Sequence, residues 1–153
     1  MRVRITKDPL DLQAIIDGCE VCFMGMVDQE GLPYVLPFNF GYEKGIFYLH
    51  SAKTGRKMEI LKNNPNVCLA FSTDHRLFKR HETMACSYGY DYRSVIASGS
   101  IEFIEDYDAK VLALNIIMRK YTGRDFAYNS PAVNNVAVYK VSPSSIQGKI
   151  SGY

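Results

Sequence analysis

One octet of the 153-residue chain gathers most of the groups able to do chemistry: His50-Ser51-Ala52-Lys53-Thr54-Gly55-Arg56-Lys57. The first residues close a β-rich run with an imidazole and a hydroxyl. The next open a short helix whose first turn holds Gly55, Arg56 and Lys57. A helix start presents unpaired N–H groups and the positive end of its dipole, so it receives phosphate well. Gly55 lets the backbone approach an anion, Arg56 offers two parallel donors and Lys57 adds a point charge. Cations at a helix start disfavour the helix by roughly a few tenths of a kcal/mol, a conflict that a bound anion removes. A solvated face of a surface helix has the same composition, and spacing alone leaves both readings open. The glycine spacing is not that of a Walker loop, and no Ser or Thr follows Lys57.

Upstream, Gly31-Leu32-Pro33-Tyr34-Val35-Leu36-Pro37-Phe38-Asn39-Phe40 is a strand interrupted by two prolines. Pro37 cannot donate to a ladder, so the strand is an edge or is bulged there, leaving backbone groups free to meet a ligand. Cys19-Glu-Val-Cys22 has the spacing of a zinc or redox pair. Cys68 and Cys86 form no second close pair, and the motif enters a strand instead of opening a helix. Buried small hydrophobes are the expectation, with no metal. His75 and His81 fall in a charged, weakly patterned segment and are expected to face solvent. Tyr88, Tyr90 and Tyr92 alternate, which places three rings on one side of an extended segment, lining a pocket or packing at an interface.

These groups need a scaffold. Asp8-Pro9 starts a helix with Leu12, Ile15 and Ile16 on one side, ended by Gly18. Strands are expected at 21–27, 34–42 and 46–50, joined by glycine-bearing turns as an antiparallel meander. A short helix runs from Thr54 to Asn63-Asn64-Pro65. Strands follow at 67–72 and 94–104, the latter bent or bulged at Ser98-Gly99. Asp106 caps a helix with Tyr107, Val111, Leu114 and Met118 at helical spacing, ended by Gly123, and 136–141 is a sixth strand. Few crossover helices argue against a doubly wound sheet. The expected fold is mainly β, a six-stranded antiparallel barrel with flanking helices, one domain over 1–153.

Composition agrees. At 47% hydrophobic and 22% charged, the chain is neither disordered nor disulfide-knotted, and it can bury roughly two-thirds of its unfolded surface. A net charge of +2 is a poor electrostatic footprint for nucleic acid. The start MRVRITKDPLDLQ is not a secretory signal and no apolar run approaches a membrane span, so a cytoplasmic protein is expected. Eleven Tyr and eight Phe with no Trp leave open whether the rings fill a core or hold something flat.

Taken in order, Gly-x-Pro-Tyr-x-x-Pro-x-x-Phe-x-Tyr, a strand ending His-Ser-Ala, then Gly-Arg-Lys and Asn-Pro-x-Val resemble the FMN-binding split-barrel superfamily of pyridoxamine-phosphate-oxidase-like proteins. Within it, the chain most resembles the 5-nitroimidazole-resistance (Nim-type) flavin-nucleotide-binding proteins. The likeness is carried by residues 19–71, is looser over 92–106, where Tyr-x-Ser-Val is followed by a strand, is weak at Gly148-Lys149, and has no motif in 73–91. The resemblance implies a six-stranded split barrel and a homodimer with two flavin sites at the subunit interface. It implies FMN as cofactor, with FAD as the alternative, and reduction of small nitro-heteroaromatic substrates. By the same likeness Leu36, Pro37, Phe38 and Asn39 lie along the flavin ring, and His50, Ser51 and Ala52 contact the ring and ribityl chain. Gly55, Arg56 and Lys57 hold the phosphate, while Ser94 and Val95 reach the flavin from the partner subunit. His50 then stands either as a catalytic hydrogen-bond or proton donor facing substrate, or as a packing residue at the strand end.

Two other readings compete. A flavin-binding protein of the same fold could serve storage, stress response or redox sensing without catalysis. A small barrel with exposed aromatics could instead bind single-stranded nucleic acid, against which stand the small net charge and the lack of a basic stripe.

Overall fold

The structure, a computed structural model, describes residues 2–153. Nine antiparallel strands and four α-helices follow one another as β1 (Val3–Thr6), α1 (Pro9–Asp17), β2 (Cys22–Val27), β3 (Pro33–Phe38), β4 (Gly41–Glu43), β5 (Ile46–Ala52), α2 (Arg56–Asn63), β6 (Asn66–Lys79), β7 (Tyr88–Phe103), α3 (Tyr107–Thr122), α4 (Ser130–Asn134), β8 (Val136–Val141) and β9 (Ser145–Ser151). The strand count therefore corrects the six expected, and the strands form an open path, β3-β2-β6-β7-β8-β5-β4, with β9 and β1 branching from β7.

The branch sits on β7. One edge pairs continuously with β6. The other pairs with β9 through Ser98 and with β8 from Ile101, so β7 belongs to both halves of the sheet. The bend or bulge expected at Ser98-Gly99 falls at this change of partner, with the β6–β7 register unbroken there. The register irregularity lies in β6, between Thr73 and Arg76. Beyond it, β6 and β7 continue as a two-stranded arm, in a segment where only the alternation of Tyr88, Tyr90 and Tyr92 pointed to extended chain.

The expected meander is also corrected. The run 34–42 is two strands: β3 pairs with β2, whereas β4 pairs with β5 in the other half of the sheet. The chain crosses at Asn39-Phe40 because Gly41 runs directly beneath α3. A Cβ there would meet Ile116 Cγ2 at 2.8 Å and the Ile117 backbone nitrogen at 2.9 Å.

Local signals held for the helices. Asp8 accepts a hydrogen bond from the Leu10 N–H, and Leu12, Ile15 and Ile16 are buried. Asp106 accepts from Ala109 N–H, and Gly123 ends α3 in the left-handed conformation. The buried face of α3 differs from the expected stripe: it is Lys110, Ala113, Leu114, Asn115 and Ile117, and Tyr107 is exposed. Five rings are buried, Phe38, Phe40, Phe47, Phe71 and Tyr139, and Phe71 packs against Phe40 and Phe47 with centroids 5.0 Å away in each case.

Candidate functional site

The octet occupies the end of β5, the following loop and the start of α2. Gly55 is the N-cap of α2 at φ 107°, and no side chain caps the helix. The space where a Gly55 Cβ would stand is empty. Helical geometry leaves the Arg56 and Lys57 N–H groups without intrahelical partners. Arg56 itself is engaged: its guanidinium lies 3.5 Å from Asp28 Oδ2 and 4.4 Å from the Tyr34 ring centroid. Asp28 does double duty, since its Oδ1 accepts from the Glu30 and Leu32 N–H groups, both at 2.9 Å, and closes the β2–β3 turn. Neither contact was visible in the sequence, because each spans more than twenty residues or depends on which carboxylate oxygen the turn consumes.

In β5, strand alternation sends Ser51 toward the interior with Leu49 and Phe47, and His50 toward the opposite face with Tyr48. The three side chains of His50, Ser51 and Ala52 therefore do not share one direction. His50 is half-buried, paired with Val138 of β8, and burial pushes its pKa below the ordinary histidine value. The Ser51 hydroxyl donates to the Ala52 carbonyl at 3.0 Å and lies 3.6 Å from Met58 Sδ. Close by, Tyr139 is fully buried, its hydroxyl has no hydrogen-bond partner among the described residues, and burial pushes its pKa up to about 12.

In β3, Leu36 and Phe38 pack into the core, and Pro37 points outward. Asn39 is exposed in the crossing between the two halves. On β7, Val95 is fully buried, so its side chain belongs to the core, and Ser94 faces outward beside Ser72 and Lys149. Pro37 and Ser94 thus share the outer face of the sheet, but β2 and β6 stand between their strands. At about 4.8 Å per strand spacing, β3 and β7 are about 14 Å apart. The row between them is apolar, Pro37–Phe23–Ala70–Ile96 in direct register, with Phe23 49% and Ile96 47% exposed.

Of the remaining candidates, Cys19 and Cys22 are buried, and desolvation pushes the Cys22 thiol up to about 12, a poor nucleophile and a poor metal ligand. No metal-holding cluster of His, Cys, Asp and Glu is present among the described residues. His75 is exposed, 2.6 Å from the Ser72 hydroxyl and stacked on Tyr90; His81 is exposed as well. No helix among the described residues is long and apolar enough to cross a membrane.

An antiparallel sheet branching at one long strand, with a helix start opening at its rim, is an arrangement shared with known proteins. The chain belongs to the pyridoxamine 5'-phosphate oxidase family, whose model matches residues 8–150. Among solved structures, it is similar to a candidate 5-nitroimidazole antibiotic resistance protein from Bacteroides thetaiotaomicron, at 44% identity and a TM-score of 0.87, covering 97% of this chain and 87% of that one. It shares its fold with the flavocytochrome Anf3 from Azotobacter vinelandii, at 23% identity and a TM-score of 0.82, covering 97% and 70% of the two chains. A FAD-binding protein from Mesorhizobium loti has the same fold at 19% identity and a TM-score of 0.70, covering 99% and 100%. No curated protein matches the chain.

Proposed function

We propose that this protein binds a flavin nucleotide, FMN in the first instance, and uses it to reduce small nitro-heteroaromatic compounds. The observation that carries this reading is the 44% identity, over 97% of the chain, with the candidate nitroimidazole resistance protein. The residues present fit the group. The start of α2 has no side-chain cap, Gly55 leaves open space, and Lys57 and two backbone amides are available to a phosphate. Arg56 is held by Asp28 and Tyr34, so it serves first to fix the helix start against the β2–β3 turn.

The exposed row Phe23–Ala70–Ile96 supports a homodimer. A contiguous apolar sheet face is costly to leave in water, and pairing two copies covers it. Pro37 and Ser94 lie at the two sides of that face, too far apart in one chain to grip one ring edge but suited to a site shared between copies. Val95 then contributes to the site only by holding β7 in place, since its side chain is in the core.

A flavin held there would supply the redox chemistry for nitro reduction. What the chain does around it is orient and exclude water. His50, neutral near pH 7 because burial disfavours its charge, holds one ring N–H donor and one acceptor nitrogen at the end of β5. That suits a hydrogen bond to a substrate oxygen better than delivery of a proton from an imidazolium.

The test is the visible spectrum of the purified protein, followed by anaerobic turnover of a nitroimidazole with NAD(P)H. Flavin bands near one per subunit and nitro reduction are expected. A protein that is colourless and cannot be loaded with FMN or FAD would overturn the flavin reading. A loaded protein that turns over no nitro compound would leave flavin binding and remove the reductase assignment.

A further inference from the structure

The inner face of α3 breaks the rule that helices bury apolar residues. Counting from the Asp106 cap, the positions that turn inward are Lys110, Ala113, Leu114, Asn115 and Ile117. Lys110 is only 6% exposed, and its Nζ donates to the Val136 carbonyl at 2.8 Å. A buried ammonium that meets only a carbonyl is under-compensated, because lysine is almost never covered without a charge partner.

Two further lysines line a cavity with it. Lys53 ends the β5 edge, just past the Ala52–Val136 pair, and Lys62 lies in the last turn of α2. Lys53, Lys62 and Lys110 together line a cavity of about 210 Å³ whose floor includes Phe103, Ile104 and Val138. Glu105 is the one carboxylate on its wall. None of the three lysines makes a salt bridge among the described residues. Three cations against one anion leave the cavity positive, and Lys110 is disfavoured in its charged form first by burial and then by Lys53.

We propose that this cavity binds a small organic anion: one carboxylate or phosphate group held by the three amines, with a single flat apolar body on the Phe103–Ile104–Val138 floor. The size argues for one ring, since pockets for drug-sized molecules run to roughly 300–1,000 Å³. None of Gly55, Arg56 and Lys57 lines this cavity, and Arg56 turns toward Asp28 and Tyr34. The site stands whether or not the flavin reading does.

Calorimetric titration with benzoate and with phenyl phosphate, on the full chain as purified, tests it. The expected result is saturable binding of benzoate at one site per chain, with phenyl phosphate competing for that site. Lys110→Met should weaken both by at least about tenfold, and Lys53→Met, at an exposed position that leaves the fold intact, by about threefold or more. Arg56→Ala should leave both affinities unchanged. Failure of either probe to saturate would overturn the proposal, as would equal affinity in Lys53→Met and wild type, or loss of binding in Arg56→Ala. Should Lys110→Met not fold, Lys53→Met decides alone.

Discussion

Gly152 passes so close to Asp91 that a side chain at 152 would have to occupy the space of the Asp91 carboxylate. Asp91 is 2% exposed and accepts from Arg76 Nη2 at 2.6 Å and Nε at 3.0 Å. Tyr153 follows at once, its ring beneath both Arg76 and Arg93, at 4.9 and 4.1 Å, and its hydroxyl donates to the Asp74 carbonyl. This cluster ties residues 151–153 to the base of the β6–β7 arm, where the register of β6 shifts.

Gly152→Ala combines a φ of +83° with that collision and should cost on the order of 1–3 kcal/mol, read from urea midpoints. Arg76→Met should be more destabilising than Asp91→Asn. The first leaves a buried carboxylate without its cation, whereas the second leaves an exposed guanidinium that water can solvate. Equal midpoints for the two variants would contradict the assignment.

His50 makes stability depend on pH in a definite direction. Its folded pKa lies below the unfolded value of about 6.5, so the unfolded chain binds more protons in the interval between the two. Stability contributed by neutral His50 is present above that unfolded value and is lost as pH falls through the interval. His50→Gln should therefore lose less stability than wild type between pH 7.5 and 5, measured by urea unfolding at both. An identical loss in the two proteins would show that the imidazole is freely solvated.

At the start of α2, Lys57→Ala should weaken FMN binding by about tenfold, as expected for one lost charge-assisted contact of roughly 1.5 kcal/mol. Asp28→Asn removes the charge that holds Arg56, yet keeps a side-chain oxygen for the β2–β3 turn. It should tighten FMN binding. Fluorescence titration of flavin checks both, and an unchanged affinity in Lys57→Ala would put the phosphate elsewhere.

The outer face of the sheet gives the fourth prediction. Phe23→Glu with Ile96→Glu places two negative charges on one exposed face, on β2 and β7 with β6 between them, which a folded monomer tolerates and a face-to-face dimer does not. Light scattering after gel filtration should show a monomer, with near-native circular dichroism and lowered flavin content. A dimer that survives both substitutions would place the interface on another surface.

How much of this was legible before folding follows the range of the forces involved. Asp8-Pro9, Asp106 and Gly123 act within a turn, and they marked the starts of α1 and α3 and the end of α3. The octet at 50–57 was legible as a strand end running into a helix start, because its residues meet one another locally. Strand β9 was missed because Ser145–Ser151 contains Gly148 and Lys149 and carries little β signal of its own; its pairing with both β1 and β7 holds it. The β6–β7 arm was missed for a similar reason, its polar residues being ordered by the Arg76–Asp91 and Arg93–Asp74 pairs across the two strands.

By itself, then, the sequence determined the mainly β class, the capped helices, the burial of Cys19 and Cys22, and the family likeness in residues 19–71. Only the tertiary structure decided that β3 and β4 part company at Gly41, that Val95 faces the core and Ser94 the outside, that Asp28 holds Arg56, and that Lys53, Lys62 and Lys110 share one cavity. Each of those depends on which distant backbone lies alongside, and a spacing rule confined to neighbouring residues carries no information about that.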